Sequence, residues 1–122
     1  MQIAKESYLR YEAFTALAYG AQGIVYWTYG QRIPTPQEDY QSALVNLNGK
    51  KTATWYAAKK VNAEIRKFNN IFYGCEMKMV RHTGDKIYAG TQALSGEIGP
   101  FKSLASGGAG VVVSYIENNG EY

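Results

Sequence analysis

Two large aromatics, Trp27 and Tyr29, close the short apolar run Ile24–Tyr29. Side chains two apart on a strand share a face, so the two rings are placed to act together. If the run is a strand of a parallel α/β sheet, they stand at its carboxyl end, where such sheets bind ligands. Glu38 and Asp39 lie in the loop above that end, within reach of a ligand, although loop carboxylates are usually solvated. Other chemical groupings are weaker. His82, Thr83 and Asp85 have the composition of a hydrolase trio, but their spacing reads as a polar turn. Cys75 beside Gly74 reads as a packed thiol. Ser103–Gly110 is glycine-rich but lacks the lysine of a phosphate loop. Lys59, Lys60, Arg66 and Lys67 read as a solvated helix face.

Composition narrows the function classes. The chain has 122 residues and 46% hydrophobic content, enough for a core and too much for a disordered segment. Thirteen basic against ten acidic residues give +3, which is too mild to indicate nucleic acid. One cysteine and one histidine exclude an internal disulfide, a cysteine-based zinc site and a histidine cluster. We expect no metal and no cofactor. No run of about 18 apolar residues indicates a membrane span. The first residues, Met1–Glu6, have no apolar signal region. Eleven tyrosines suit half-wet clefts as well as cores.

The elements that would position Trp27 and Tyr29 follow from periodicity. Ala4–Tyr19 reads as a helix with Leu9, Ala13, Ala16, Leu17 and Gly20 on one narrow face of mostly small residues. Tyr8, Tyr11, Phe14 and Ala18 widen that face, so the helix is expected to be covered on more than one side. Gly20 is placed for a left-handed cap. Ile24–Tyr29 hardly alternates between apolar and polar, which predicts a strand buried on both faces. Pro34 and Pro36 make the following stretch a loop. Ser42–Asn48, with Ala43, Leu44, Val45 and Leu47 apolar, is a brief strand or extended connector, followed by a turn at Asn48-Gly49. A second helix starts at Thr52 or Thr54 and runs to about Asn69, with Trp55, Ala58, Val61, Ile65 and Phe68 on its apolar face. After Gly74 the pattern becomes all-β. Met77–Arg81, Lys86–Ala89 and Val111–Ile116 are strand candidates, with turns at His82–Asp85 and Asn118–Gly120 and a loop over Ser95–Gly110. The fold class is α+β: two long helices flanking a short buried strand, then a small antiparallel β segment. The expected boundary separates residues 1–74 from 75–122. The chain closes directly after a hairpin signal, and one central strand is a poor complete sheet, so we read it as a piece of a longer protein.

Arg10-Tyr-Glu-Ala-Phe-Thr-Ala-Leu-Ala-Tyr-Gly-Ala-Gln-Gly-Ile-Val-Tyr-Trp-Thr-Tyr29, with Leu47-Asn-Gly-Lys-Lys-Thr52 and Val61-Asn-Ala-Glu-Ile65, resembles the end of a (β/α)8-barrel glycoside hydrolase. The likeness is to β-galactosidase-like barrels of the family 42 type, including relatives in gut Bacteroides. It covers Tyr8–Ile65 well and the remainder loosely. It implies that residues 1–74 are the last helix, strand and helix of a barrel, and that residues 75–122 begin a β-sandwich. It implies that Trp27 forms part of a sugar subsite, with Tyr29 further along the same face. The alternative is that both rings pack in a core.

Glycoside hydrolysis of this kind uses two carboxylates, about 5 Å apart in retaining enzymes. In the family these lie on earlier strands, and Ile24–Tyr29 carries neither. Glu12 lies on a helix flank and is expected to pair or face water. The chain by itself is therefore expected to be inactive, while a parent enzyme would be secreted or periplasmic. The other function class considered is a small self-standing carbohydrate-binding or protein-interaction module; a basic helical surface for nucleic acid is a weaker third. The expected partners are a carbohydrate and a second copy, joined through exposed strand edges and helix faces. No nucleic-acid or membrane partner is expected.

Overall fold

The computed structural model describes residues 5–36 and 42–120. In chain order its elements are α1 (Glu6–Ala18), α2 (Ala53–Lys67), α3 (Asn69–Phe72), β1 (Glu76–His82) and β2 (Val112–Glu117). The fold is α+β, as the patterning predicts. Two compact units divide the chain: Met1–Phe14 with Gly23–Asn69, and Thr15–Gln22 with Asn70–Tyr122. Helix α1 gives Glu6–Phe14 to the first and Thr15–Ala18 to the second.

The first unit is built on two helices that meet through small side chains. Leu9 and Ala13 of α1 and Ala57 and Val61 of α2 form the core, and Val61 has no exposed surface. Ile24, Tyr26 and Ile65 pack against this cluster, and Phe14 meets Phe68 edge-on at 6.4 Å between ring centres. Helix α2 starts where its sequence says it should. Thr52 is the N-cap, with Oγ1 accepting from the Trp55 amide at 3.4 Å. Its hydroxyl also donates to the Ala43 carbonyl at 2.7 Å, tying the cap to the preceding connector. That connector is extended. Val45 bridges Gly30 in parallel and Lys51 antiparallel, and Ala43 and Leu44 are buried.

Two expectations about this unit fail. Helix α1 is not covered on a second side, because Tyr8 and Tyr11 are exposed. Ile24–Tyr29 forms no strand, since the chain bends at Trp27 and Tyr29 and the Trp27–Thr28 peptide bond is cis, and it is not buried on both faces. Among the described residues, its backbone pairs only at its end, where the Thr28 and Tyr29 carbonyls accept from Leu44 and Val45 and the Gln31 amide donates to Val45. The helices cover one face, and no described residue covers the other. A run without polar alternation therefore leaves half of its apolar residues in solvent.

In the second unit, β1 and β2 pair antiparallel from Glu76↔Glu117 to His82↔Val112, with an irregularity between Met77 and Met79. The carboxylates of Glu76 and Glu117 face each other in that register. Lys78 lies between them, at 2.6 Å from Glu76 and 3.3 Å from Glu117, and both pairings raise its pKa. The end of α1 is held here too. Gly20 adopts φ +87. Gly20 donates to Leu17 and Ala21 to Ala16, the bond pair of a Schellman cap. Ser114 Oγ donates to the Ala18 carbonyl at 2.6 Å, and Gln22 accepts from the Gly74 amide at 2.8 Å.

Lys86–Ala89 forms no strand; Gln92–Leu94 bonds beside His82 instead, through a parallel bridge at Ala93. Ile98 is buried within the glycine-rich loop. Gly99 is required nearby: at φ +54, an added Cβ would stand 2.6 Å from the Tyr115 ring.

Two substitutions test the first core. Val61→Ala should lower the urea midpoint, costing about 2 kcal/mol for a fully buried side chain. Thr54→Val should have the opposite sign. Thr54 Oγ1 is buried with no hydrogen-bond partner, so removing that hydroxyl should stabilise by about 1 kcal/mol.

Candidate functional site

The segment after Gly23 sorts its side chains by alternation. Ile24 and Tyr26 turn toward the helices and pack on the core. The Tyr26 hydroxyl donates to Asn62 Oδ1 at 2.8 Å, and burial raises its pKa. Val25 and Trp27 take the opposite phase, and Val25, Trp27 and Tyr29 are 93%, 77% and 68% exposed. Val25 and Trp27 therefore face away from the helices, and Tyr29, beyond the cis Trp27–Thr28 bond, is exposed as well. Arg32 was not singled out by sequence reasoning, yet its guanidinium stands 5.6 Å from the Trp27 ring centre. The rings are anchored from behind by Ile24 and Tyr26 and from the side by the Val45 bridge. Such a face offers a flat apolar surface, with the phenol of Tyr29 and the Arg32 cation as polar groups beside it.

The remaining candidates fall elsewhere. Glu38 and Asp39 lie outside the described residues. His82 is the last residue of β1, not part of a turn. Its Nε2 is 2.6 Å from the Tyr19 hydroxyl, so it is paired with a phenol and not arranged as a hydrolase trio. Cys75 is a free thiol with Gln22 Nε2 3.7 Å from its sulfur. Glu12 pairs with the Tyr8 hydroxyl and raises that phenol's pKa. Lys60 is bound to Glu6 at 3.0 Å, and Lys59 and Lys51 flank the Trp55 ring at 5.6 and 4.0 Å. Among the described residues, no group of three or more histidine, cysteine, aspartate or glutamate side chains could hold a metal ion. No described helix is long and apolar enough to cross a membrane.

One pair of carboxylates does converge. Glu6 and Glu64 both bind Arg10, at 2.8 and 2.7 Å. The Arg10 bonds, with Lys60 next at Glu6, hold both carboxyls below the usual range. A catalytic acid needs a raised pKa, so this pair has the wrong electrostatics to protonate a leaving group. It is a clasp between α1 and α2. Its i,i+4 half, Glu6–Arg10, is legible in the sequence; Glu64, fifty-four residues from Arg10, is not.

The model of the glycoside hydrolase family 42 beta-galactosidases matches residues 2–68, ending one residue after α2. That span is more than half of the 122 residues, and the chain belongs to this family. No curated protein and no solved structure matches the chain.

The clasp has a defined pH signature. Its two carboxyls titrate near 4.5 when unfolded and lower when folded. Its stabilisation is complete above about pH 4.5 and is lost as the pH falls through the lower folded-state values. Urea midpoints taken from about pH 6 down to about pH 3 should therefore drop on the acid side. Glu64→Gln should reduce that drop.

Proposed function

We propose that the chain supplies the sugar-facing aromatic platform of a β-galactosidase-type glycoside hydrolase and does not hydrolyse glycosides by itself. The observation that carries the platform is the exposed face of Trp27 and Tyr29, held open by the inward anchoring of Ile24 and Tyr26. A pyranose presents an apolar face of C–H groups and a rim of hydroxyls. An exposed indole suits the first. The Tyr29 hydroxyl and the Arg32 guanidinium suit the second. Membership in the beta-galactosidase family supplies the substrate class, a terminal galactoside.

The lack of hydrolysis follows from the carboxylates. Hydrolysis requires one carboxyl kept protonated near neutral pH and a second across the scissile bond. Ile24–Tyr29 carries none, and Glu6 and Glu64 are committed to Arg10. Among the described residues, the platform can therefore bind and orient a sugar but has no carboxyl beside it to transfer a proton. We read the chain as one segment of a longer enzyme whose acid and nucleophile reside on other strands.

Titration with a β-galactoside, followed by calorimetry and by tryptophan fluorescence, tests this. The chain should bind, and Trp27→Ala should weaken binding about tenfold, roughly 1.4 kcal/mol and near the upper end for one aromatic contact. Tyr29→Phe should have a smaller effect, since it keeps the ring. A chromogenic galactoside should be hydrolysed no faster than in buffer. Equal affinity in Trp27→Ala would remove the platform; measurable turnover would remove the claim of inactivity.

A further inference from the structure

We propose that Asn119 is a site of spontaneous covalent modification, converting to aspartate and isoaspartate, while Asn48 in the same dipeptide is protected. The sequence holds two Asn-Gly pairs, Asn48-Gly49 and Asn119-Gly120, and all four residues are exposed. Glycine has no side chain to crowd its amide nitrogen, so that nitrogen can reach the carboxamide of the asparagine before it. The fold treats the two pairs differently.

The reaction needs only water. The Gly120 amide loses its proton to solvent hydroxide, and its nitrogen attacks Asn119 Cγ. A new C–N bond closes a five-membered imide ring as the bond from Cγ to Nδ2 breaks. Ammonia leaves, taking back a proton from water. Water then opens the ring at either carbonyl. Opening at the side-chain carbonyl gives aspartate. Opening at the main-chain carbonyl gives isoaspartate, whose backbone runs through Cβ and Cγ.

At Asn48 the nucleophile is engaged. The Gly49 amide donates to the Asn46 carbonyl at 2.9 Å. The Asn48 and Lys50 amides donate to Asn46 Oδ1 at 3.0 and 2.9 Å, and the Asn46 amide donates to the Lys50 carbonyl at 2.9 Å. Asn46 takes part in every one of these bonds, and Val45 and Lys51 bridge just outside them. Attack by Gly49 requires the turn to open first.

Asn119 has no such restraint. Among the described residues, neither its carboxamide nor the Gly120 amide makes a hydrogen bond. An added Cβ at Gly120 would meet nothing within 4 Å. The φ values of Asn119 and Gly120 are +53 and +81, the two positive angles of a type I′ turn. Asparagine tolerates the left-handed region but is strained there. Rotation that carries the nitrogen toward Cγ therefore breaks no bond and relieves that strain.

The products change their surroundings. Each event lowers the formal net charge of +3 by one. It also sets a carboxylate two residues from Glu117, which already shares Lys78 with Glu76. Isoaspartate further lengthens the backbone beside Asn118, whose Nδ2 reaches the carbonyls of Asn70, Ile71 and Tyr73. Asn119 belongs to the second unit, and Trp27 and Tyr29 to the first, so this modification is independent of the sugar reading.

Ageing the whole chain at mildly alkaline pH and body temperature, followed by peptide mapping by mass spectrometry, tests it. The mass change of an amide-to-acid exchange should appear first in the peptide holding Asn119. Part of that product should accept a methyl group from a protein isoaspartate methyltransferase. In the native chain Asn119 should react about tenfold faster than Asn48, since attack at Gly49 must first break hydrogen bonds. In concentrated urea the two pairs should react at similar rates. Asn46→Ala, which removes the Oδ1 acceptor, should speed the reaction at Asn48 several-fold. Asn119→Gln keeps a carboxamide but must close a six-membered ring, and should stay unmodified. A native chain in which Asn119 reacts no faster than Asn48, or in which Asn119 reacts only after unfolding in urea, would overturn the proposal.

Discussion

An extended backbone can commit only every second side chain to a given layer, and that constraint governs the first unit. The helices α1 and α2 meet through Leu9, Ala13, Ala57 and Val61. Such short side chains leave room for Ile24 and Tyr26 to pack against the cluster. Once those two are fixed, Val25 and Trp27 must face the other way, and Tyr29, past the cis Trp27–Thr28 bond, is exposed with them. The exposed aromatic surface is thus a by-product of core packing: the residues that stabilise the unit also determine which ones stand in solvent.

Around this apolar contact the charges act as a restraint rather than as chemistry. Arg10 joins two carboxylates from different helices, and Lys60 adds a second cation to Glu6. These pairs lie near the surface, where ion pairs contribute little to stability. Their geometric effect is larger. A guanidinium held by two carboxylates fixes the rotation of α1 about its axis, and so fixes which of its residues meet α2. Lys78 has a related part in the second unit, where the register would otherwise set Glu76 directly against Glu117.

Much of this arrangement was legible from residue types. The threonine cap of α2, the left-handed Gly20, and the periodicities that became α1 and α2 all act within a few residues, so sequence spacing carries them. The strands 76–82 and 112–117 were legible for the same reason. What failed depends on partners far along the chain. The apolar composition of Ile24–Tyr29 predicts two covering layers, but composition cannot say whether the described chain supplies them. Lys86–Ala89 has strand-like residues, yet Gln92–Leu94 takes the place beside His82. The closeness of Arg32 and the convergence of Glu6 and Glu64 on Arg10 were not anticipated, because no local pattern encodes them.

Asn118 carries a consequence for synthesis. Its side-chain Nδ2 reaches the carbonyls of Asn70, Ile71 and Tyr73 at 2.9, 3.2 and 3.0 Å. An amide has two hydrogens, so one of them is shared among these acceptors. Those carbonyls close α3, a single turn of Asn69–Phe72 that is too short to persist alone. On the ribosome, residues 69–73 emerge long before residue 118, and their carbonyls remain hydrated until the later segment arrives. The turn can mature only once Asn118, 45 residues beyond Tyr73, has emerged, so this corner of the molecule waits on a later part of the chain rather than folding as soon as it is made.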